Sequence, residues 1–187
     1  MDPVWSRIVD NVTRNGDRPA LEVGGDVVSY RDLYADAARI GGTLTHPSTA
    51  ILGQRTREGY AAVLGTVLRG ATYVPLGTAF PVADNVHRLE LARCESLIVD
   101  ATGLSALPGL LEGLTRSITV LVLAEADLAE LRAVHRRHRL LGRDDLASPE
   151  GFEPLPHPPG RDCQMMFTAG STGLPQAVRP TVGATNA

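Results

Sequence analysis

Apolar side chains recur at helical spacing from the start of the chain. Val4, Trp5, Ile8, Val9 and Val12 share one face, and Asn15-Gly16-Asp17 ends the run. The spacing predicts a helix over 4–14, with Trp5 as its core anchor. Ala20 to Val23 and Val27 to Tyr30 are short apolar runs around Gly24-Gly25-Asp26, the pattern of a hairpin. Ser29 stands three residues before Asp32, so its hydroxyl can accept from the Asp32 amide while the carboxylate reaches back. That pair opens a helix over 31–44, with Leu33, Ala37, Ile40 and Leu44 as its buried stripe.

From Ala50 the pattern changes to short apolar strands alternating with helices. Strands are expected at 50–52, 72–76, 96–99 and 118–123, and helices at 57–69 and 82–94, with a Gly/Pro-punctuated stretch before Arg116. A further helix is expected over 126–141. Glu125, Asp127 and Glu130 suit its N-terminus, where acids favour the dipole, and a basic cluster ends it. Pro149, Pro154, Pro156, Pro158 and Pro159 mark residues 149–160 as an extended connector, which delivers the chain to a last strand at 163–167. The fold class is α/β, a mostly parallel sheet flanked by helices, in one unit over 1–187 and without internal repeats.

Composition narrows the function classes. The chain has 187 residues, 43% apolar and 21% charged, with a net charge of -3, which is globular. With 4% aromatic residues and a slightly negative charge, it offers no basic stacking face for nucleic acid. No apolar run reaches the roughly 18 residues of a membrane span and no basic-then-apolar leader opens the chain, so a soluble, cytoplasmic protein without a membrane partner is expected. Cys94 and Cys163 lie far apart without metal-ligand spacing and read as reduced thiols. All 18 basic residues are arginine, which excludes lysine chemistry within the chain.

The last strand runs into Thr168-Ala169-Gly170-Ser171-Thr172-Gly173-Leu174-Pro175. A turn dense in glycine and hydroxyls after a strand offers converging backbone amides and Oγ donors, the means of wrapping phosphate oxygens. It matches neither GxxxxGK[ST] nor GxGxxG. The stretch resembles the phosphate loop TSGSTGxPKG of the adenylate-forming (AMP-binding) superfamily, which holds acyl-CoA synthetases, luciferases and the amino-acid-activating domains of nonribosomal peptide synthetases. Val28-Ser29-Tyr30-Arg31-Asp32-Leu33 resembles its LTYxEL motif, and Leu68-Arg69-Gly70-Ala71-Thr72-Tyr73-Val74-Pro75-Leu76 its LKAGxAYVPLD motif, in a wording typical of peptide synthetases. The resemblance implies the N-terminal subdomain of an adenylation domain, with Thr168, Gly170, Ser171, Thr172 and Gly173 as a degenerate nucleotide-phosphate loop.

The chain departs from that pattern. Gln176 stands at the lysine position, Ala177 replaces the following glycine, and Gly77 and Thr78 replace the aspartate and a common proline of the second motif. A neutral amide in place of an ammonium weakens phosphate binding, because charge-assisted hydrogen bonds are about twice as strong as neutral ones. The family's metal-binding glutamate, substrate pocket, ribose-binding aspartate and catalytic lysine all follow the phosphate loop, and none falls within these residues. Arg179 lies near the loop in sequence, but its spacing assigns it no role.

Three functions are therefore in view: a truncated, catalytically inactive structural or interaction module of a peptide assembly line; a partial or split amino-acid-adenylating enzyme; and a stand-alone nucleotide or phosphate binder. For the first, no catalytic residue, metal or required cofactor is expected, with weak ATP or AMP binding at most. A homodimer or a complex with an assembly-line protein is expected at an unpaired apolar edge near Met165, Met166 and Phe167. His135 and His138 stand at i and i+3, but the arginines around them would repel a metal ion, so residues 132–139 read as a solvated face, with docking to an acidic partner as the alternative.

Overall fold

The computed structural model describes residues 4–158, 160, 162–169 and 175–178, with side chains described from Ser6 to Thr168 only. Trp5 is therefore placed by its backbone alone. Helix α1 (Val4–Asn15) leads into a hairpin of β1 (Pro19–Val23) and β2 (Asp26–Ser29), and the turn between them is carried by Gly24 and Gly25, both at positive φ. Helix α2 (Tyr30–Thr43) then opens at Ser29, whose Oγ accepts from Asp32 N at 3.1 Å and donates to Asp32 Oδ2 at 2.7 Å.

The core is a five-stranded parallel sheet in the order β4-β3-β5-β6-β7, made of β3 (Ser48–Leu52), β4 (Thr72–Leu76), β5 (Ser96–Val99), β6 (Thr119–Val122) and β7 (Arg139–Leu141). Its helices are α3 (Arg57–Leu68), α4 (Val82–Leu91), α5 (Leu107–Gly113) and α6 (Leu128–Val134). Strand alternation sorts the core into two layers. Ile51, Ile98 and Leu121 pack with Ile40 and Leu44 of α2 and Ala61 and Ala62 of α3. Leu52, Leu97, Val99, Val120 and Val122 face the other way, onto Leu89 of α4 and Leu107, Leu110 and Leu111 of α5. Burial on both faces accounts for the continuous apolar strands of the sequence. Cys94 lies inside the second layer, where burial pushes its thiol up to about 12.

Two expectations fail between residues 104 and 141. The Gly/Pro-rich stretch contains α5, because Pro108 sits in the first helical turn, where a missing N–H costs nothing. The helix expected over 126–141 stops at Val134, and Arg139–Leu141 instead extend the sheet as β7. Leu140, 3% exposed, gains more from the sheet than a helical face would give it. The start of α6 is as expected, with Asp127 Oδ1 accepting from Glu130 N at 2.9 Å.

The edge near Met165 also differs from expectation. Residues 163–165 run parallel to β4: Tyr73 N donates to Cys163 O and Met165 N to Tyr73 O, both at 3.0 Å. Met165 is buried, and β8 (Met166–Ala169) pairs antiparallel with β9 (Pro175–Val178). The strand is thus paired rather than open, and Met166 alone of the three is exposed. Among the described residues, no helix is long and apolar enough to cross a membrane.

Candidate functional site

The β8–β9 hairpin frames the phosphate-loop sequence. Thr168, exposed, is paired with Gln176, and Phe167 with Ala177, so Thr168 and Gln176 share one face of the ribbon and Phe167 and Ala177 the other. Gly170, Ser171, Thr172, Gly173 and Arg179 lie outside the described residues, as does the side chain of Gln176.

The hairpin is seated on the second motif. Besides the Tyr73 bonds, Thr72 Oγ1 donates to Asp162 O at 2.5 Å and Leu155 N to Leu68 O at 2.8 Å, so the proline-rich connector and the loop strand both run along Leu68–Leu76. Gly70 permits this, since it has φ +71 and a Cβ there would stand 2.9 Å from Pro156 O. The motif therefore acts as a rail on which the phosphate-loop strand is laid.

At the end of that rail, Gly77 occupies the aspartate position. A Cβ on Gly77 would lie 2.6 Å from the Phe80 ring. That ring lies beneath the Arg88 guanidinium, 3.8 Å from it, with the Phe167 ring at 5.9 Å. Arg88 is 8% exposed, and Asn85 next to it ties its Nδ2 to Gly77 O at 2.8 Å. The Phe80 ring, stacked with the Arg88 guanidinium, thus fills the space beside Gly77. Thr78 Oγ1 accepts from Gln54 Nε2 at 2.9 Å, which ties the same turn to the end of β3.

The strand order reverses between β3 and β5, the point at which open α/β sheets bind ligands beyond their strand ends. Here a side chain fills that crevice. Asp100, 2% exposed, accepts from Gln54 N (3.1 Å) and Thr56 Oγ1 (2.6 Å) at Oδ2, and from Thr102 N (2.9 Å), Thr102 Oγ1 (2.6 Å) and Gly103 N (3.1 Å) at Oδ1. Burial alone would raise its pKa, but the donors from Thr102, Thr56, Gln54 and Gly103 outweigh it and hold the carboxyl below the ordinary carboxylate range. A Cβ on Gly53 would collide with this carboxylate. Five donors at the switch point are thus satisfied by Asp100. The visible signal in the sequence is an acid directly after the apolar strand Ser96–Val99.

His135 and His138 do not form a solvated face: they are 7% and 8% exposed, while the neighbouring arginines are exposed. Ile118 N donates to His138 Nδ1 at 3.3 Å, and Nε2 lies 3.1 Å from Leu111 O, to which its proton is donated. Burial lowers the His138 pKa and keeps the ring neutral, as this pairing requires. His138 is thus a cross-link between α5 and β6. Among the described residues, no group of three His, Cys, Asp or Glu is placed to hold a metal ion.

Parallel sheet, phosphate-loop hairpin and motif rail together define the class of an adenylate-forming domain. The chain belongs to the family of AMP-binding enzymes, whose model matches residues 8–185, and it corresponds to the N-terminal part of an adenylation domain. It is 29% identical over 168 residues to the phenyloxazoline synthase MbtB of Mycobacterium tuberculosis (strain CDC 1551 / Oshkosh), covering 87% of this chain and 10% of that protein. It is 27% identical over 180 residues to the hybrid PKS-NRPS synthetase iliA of Neonectria sp. (strain DH2), covering 92% of the chain and 4% of the synthetase. The crystal structure of IdnL7 superposes with a TM-score of 0.81 at 30% identity, over 98% of this chain and 36% of that one. The Vibrio cholerae adenylation domain AlmE, solved with glycyl-adenosine-5'-phosphate, shares the fold with a TM-score of 0.79 at 23% identity, over 95% of this chain and 35% of that one. The chain therefore spans about a third of these two solved chains and a tenth or less of these curated relatives.

Proposed function

We propose that these 187 residues act as a structural or interaction module of a peptide assembly line rather than as an adenylate-forming catalyst. The observation that carries this reading is the charge at the phosphate loop: Gln176 stands at the family's lysine position, and all 18 basic residues of the chain are arginine. Adenylate formation develops negative charge at phosphorus, which preorganised cations must meet. A neutral amide there leaves weak binding of ATP or AMP and no transition-state stabilisation. The relatives, a synthase and a hybrid synthetase many times longer than the chain, support the assembly-line setting. The partner in this reading is a second copy or an assembly-line protein, meeting the face around Met166 over roughly 800 Å² per partner.

A second reading is favoured by the IdnL7 match, which covers nearly all of this chain but 36% of that structure. In it, these residues are one piece of an amino-acid-adenylating enzyme that further segments complete. Amino-acid-dependent exchange of pyrophosphate into ATP separates the two. The chain alone gives no exchange, and neither does the chain mixed with the remaining two thirds of a related adenylation domain. Exchange restored by the mixture supports the second reading, and exchange by the chain alone overturns the first outright.

A further inference from the structure

The segment from Leu131 to Arg143 carries five arginines and no acid. Arg132 and Arg143 have carboxylate partners, Asp145 Oδ2 at 2.7 Å and Glu58 Oε1 at 2.6 Å. Arg136, Arg137 and Arg139 are exposed, and among the described residues they form no ion pair. Two of them bond backbone carbonyls, Arg136 Nε to Ala133 O at 3.1 Å and Arg137 Nη2 to Leu111 O at 3.2 Å and to Leu114 O. These bonds position the guanidinium groups without neutralising them.

The three arginines border two hollows that adjoin at Arg137. One, of about 250 Å³, is lined in part by Glu112, His135, Arg136 and Arg137, and the other, of about 320 Å³, by His46, Glu95, Ser117, Arg137 and Arg139. Glu95 Oε2 already lies 3.1 Å from His46 Nδ1, which leaves Glu112 as the one unpartnered carboxylate among these residues, against three guanidinium groups. His135 points the same way. It is 7% exposed, its ring makes no hydrogen bond among the described residues, and its nitrogens are not sealed beneath the surface. A polar group so nearly buried normally has a partner. The patch lies at the N-terminal edge of the sheet, since His46, Glu95, Ser117 and Arg137 each stand within two residues of the start of β3, β5, β6 and β7. The β8–β9 hairpin follows a stretch that runs parallel to β4 and leaves by the opposite edge.

We propose that this edge docks an acidic segment of a partner protein, whose carboxylates enter the two hollows and pair with Arg136, Arg137 and Arg139. A single small anion would fill one hollow and leave the arginine of the other unmatched, whereas a peptide supplies several carboxylates at adaptable spacing. A nucleic-acid strand binds by stacking its bases on aromatic rings, and no Phe, Tyr or Trp lines either hollow. The surface goes beyond the proposed function and uses neither Met166 nor Gln176, so either can fail while the other stands.

Fluorescein-labelled hexaglutamate is the probe, with hexalysine and an oligothymidylate as controls, in an anisotropy titration with the 187-residue chain. Hexaglutamate binds saturably, and its affinity falls by about tenfold as added salt screens exposed charges. Hexalysine does not bind, and the oligothymidylate binds more weakly than hexaglutamate. Arg136→Gln combined with Arg139→Gln weakens hexaglutamate by about tenfold, the scale of two exposed ion pairs. The same loss of charge at exposed positions of α1, Arg7→Gln combined with Arg14→Gln, leaves the affinity unchanged. The wild-type titrations decide the matter even where a variant fails to fold. No saturable binding of hexaglutamate, binding indifferent to salt, equal binding of hexalysine, tighter binding of the oligothymidylate, or an equal loss in the α1 variant overturns the proposal.

Discussion

The five-stranded sheet and the β8–β9 hairpin are held in different ways. In the sheet, all four residues of β5 are buried, the flanking helices cover both faces, and the turns after β3 and β5 are tied by one carboxylate. The hairpin has two strands and joins the sheet through the Tyr73 bridge, and Met166 on its first strand is 46% exposed. The family's sequence motifs divide along the same line. Ser29 and Thr72–Leu76 perform packing and capping tasks that the fold needs whether or not a nucleotide binds, and they persist. The lysine position of the resembling phosphate loop, by the proposed function, serves only the phosphate, and there this chain carries Gln176. In the proposed reading, stability and phosphate binding reside in different parts of this chain, so one can be lost without the other.

Asp100→Ala strikes the sheet side of that comparison hardest. Five hydrogen bonds to a charged group are lost and the buried donors are stranded, for a cost of about 4 kcal/mol in denaturant unfolding. The pH dependence has a fixed sign. The folded pKa is depressed, so the stabilisation is complete above the ordinary carboxylate value of about 3.9 and is lost as pH falls through the folded value. A cost below that of an ordinary surface substitution would mean that the switch-point crevice needs no internal anion.

His138→Ala is the intermediate case, costing about 2 kcal/mol as Ile118 N and Leu111 O lose their partner. Because burial lowers the His138 pKa, the unfolded chain takes up the proton first. Stability is therefore fully present above about pH 6.5 and declines as pH falls below it, and the variant loses that slope. A wild-type unfolding midpoint that stays flat from pH 7 to pH 5 would contradict the cross-link. The smallest effect falls on the hairpin: Met166→Ala costs under about 0.5 kcal/mol, being partly exposed, but lowers any self-association seen by light scattering at micromolar concentration. A monomer at every concentration, with no partner recovered from the producing cells, removes the interaction half of the proposed function.

What the sequence showed follows from how local each signal is. The Ser29 and Asp127 caps, the Gly24-Gly25 turn and the apolar strands depend on neighbours within a few residues, and the structure places them where the pattern put them. Residues 126–141 misled because their helical periodicity competes with burial of Leu140 beside β6, a contact between distant segments. The burial of the histidines is equally non-local, since His138 is held by Leu111 and Ile118, 27 and 20 residues away. The role of Asp100 is not written in its neighbours, because Gln54 and Thr56 reach it from a turn 46 and 44 residues earlier. The phosphate loop was legible as a motif, because its chemistry is written in consecutive residues.

The measurement that bears most directly on the division between fold and phosphate binding is calorimetry of ATP with the wild-type chain and with Gln176→Lys. The account predicts little or no heat with the wild type and a gain of about tenfold or more in affinity in the variant, since a point charge returns to the phosphate position, with unfolding midpoints that match. Tight ATP binding by the wild-type chain, undiminished beside the variant, would contradict it and make the chain a nucleotide binder in its own right.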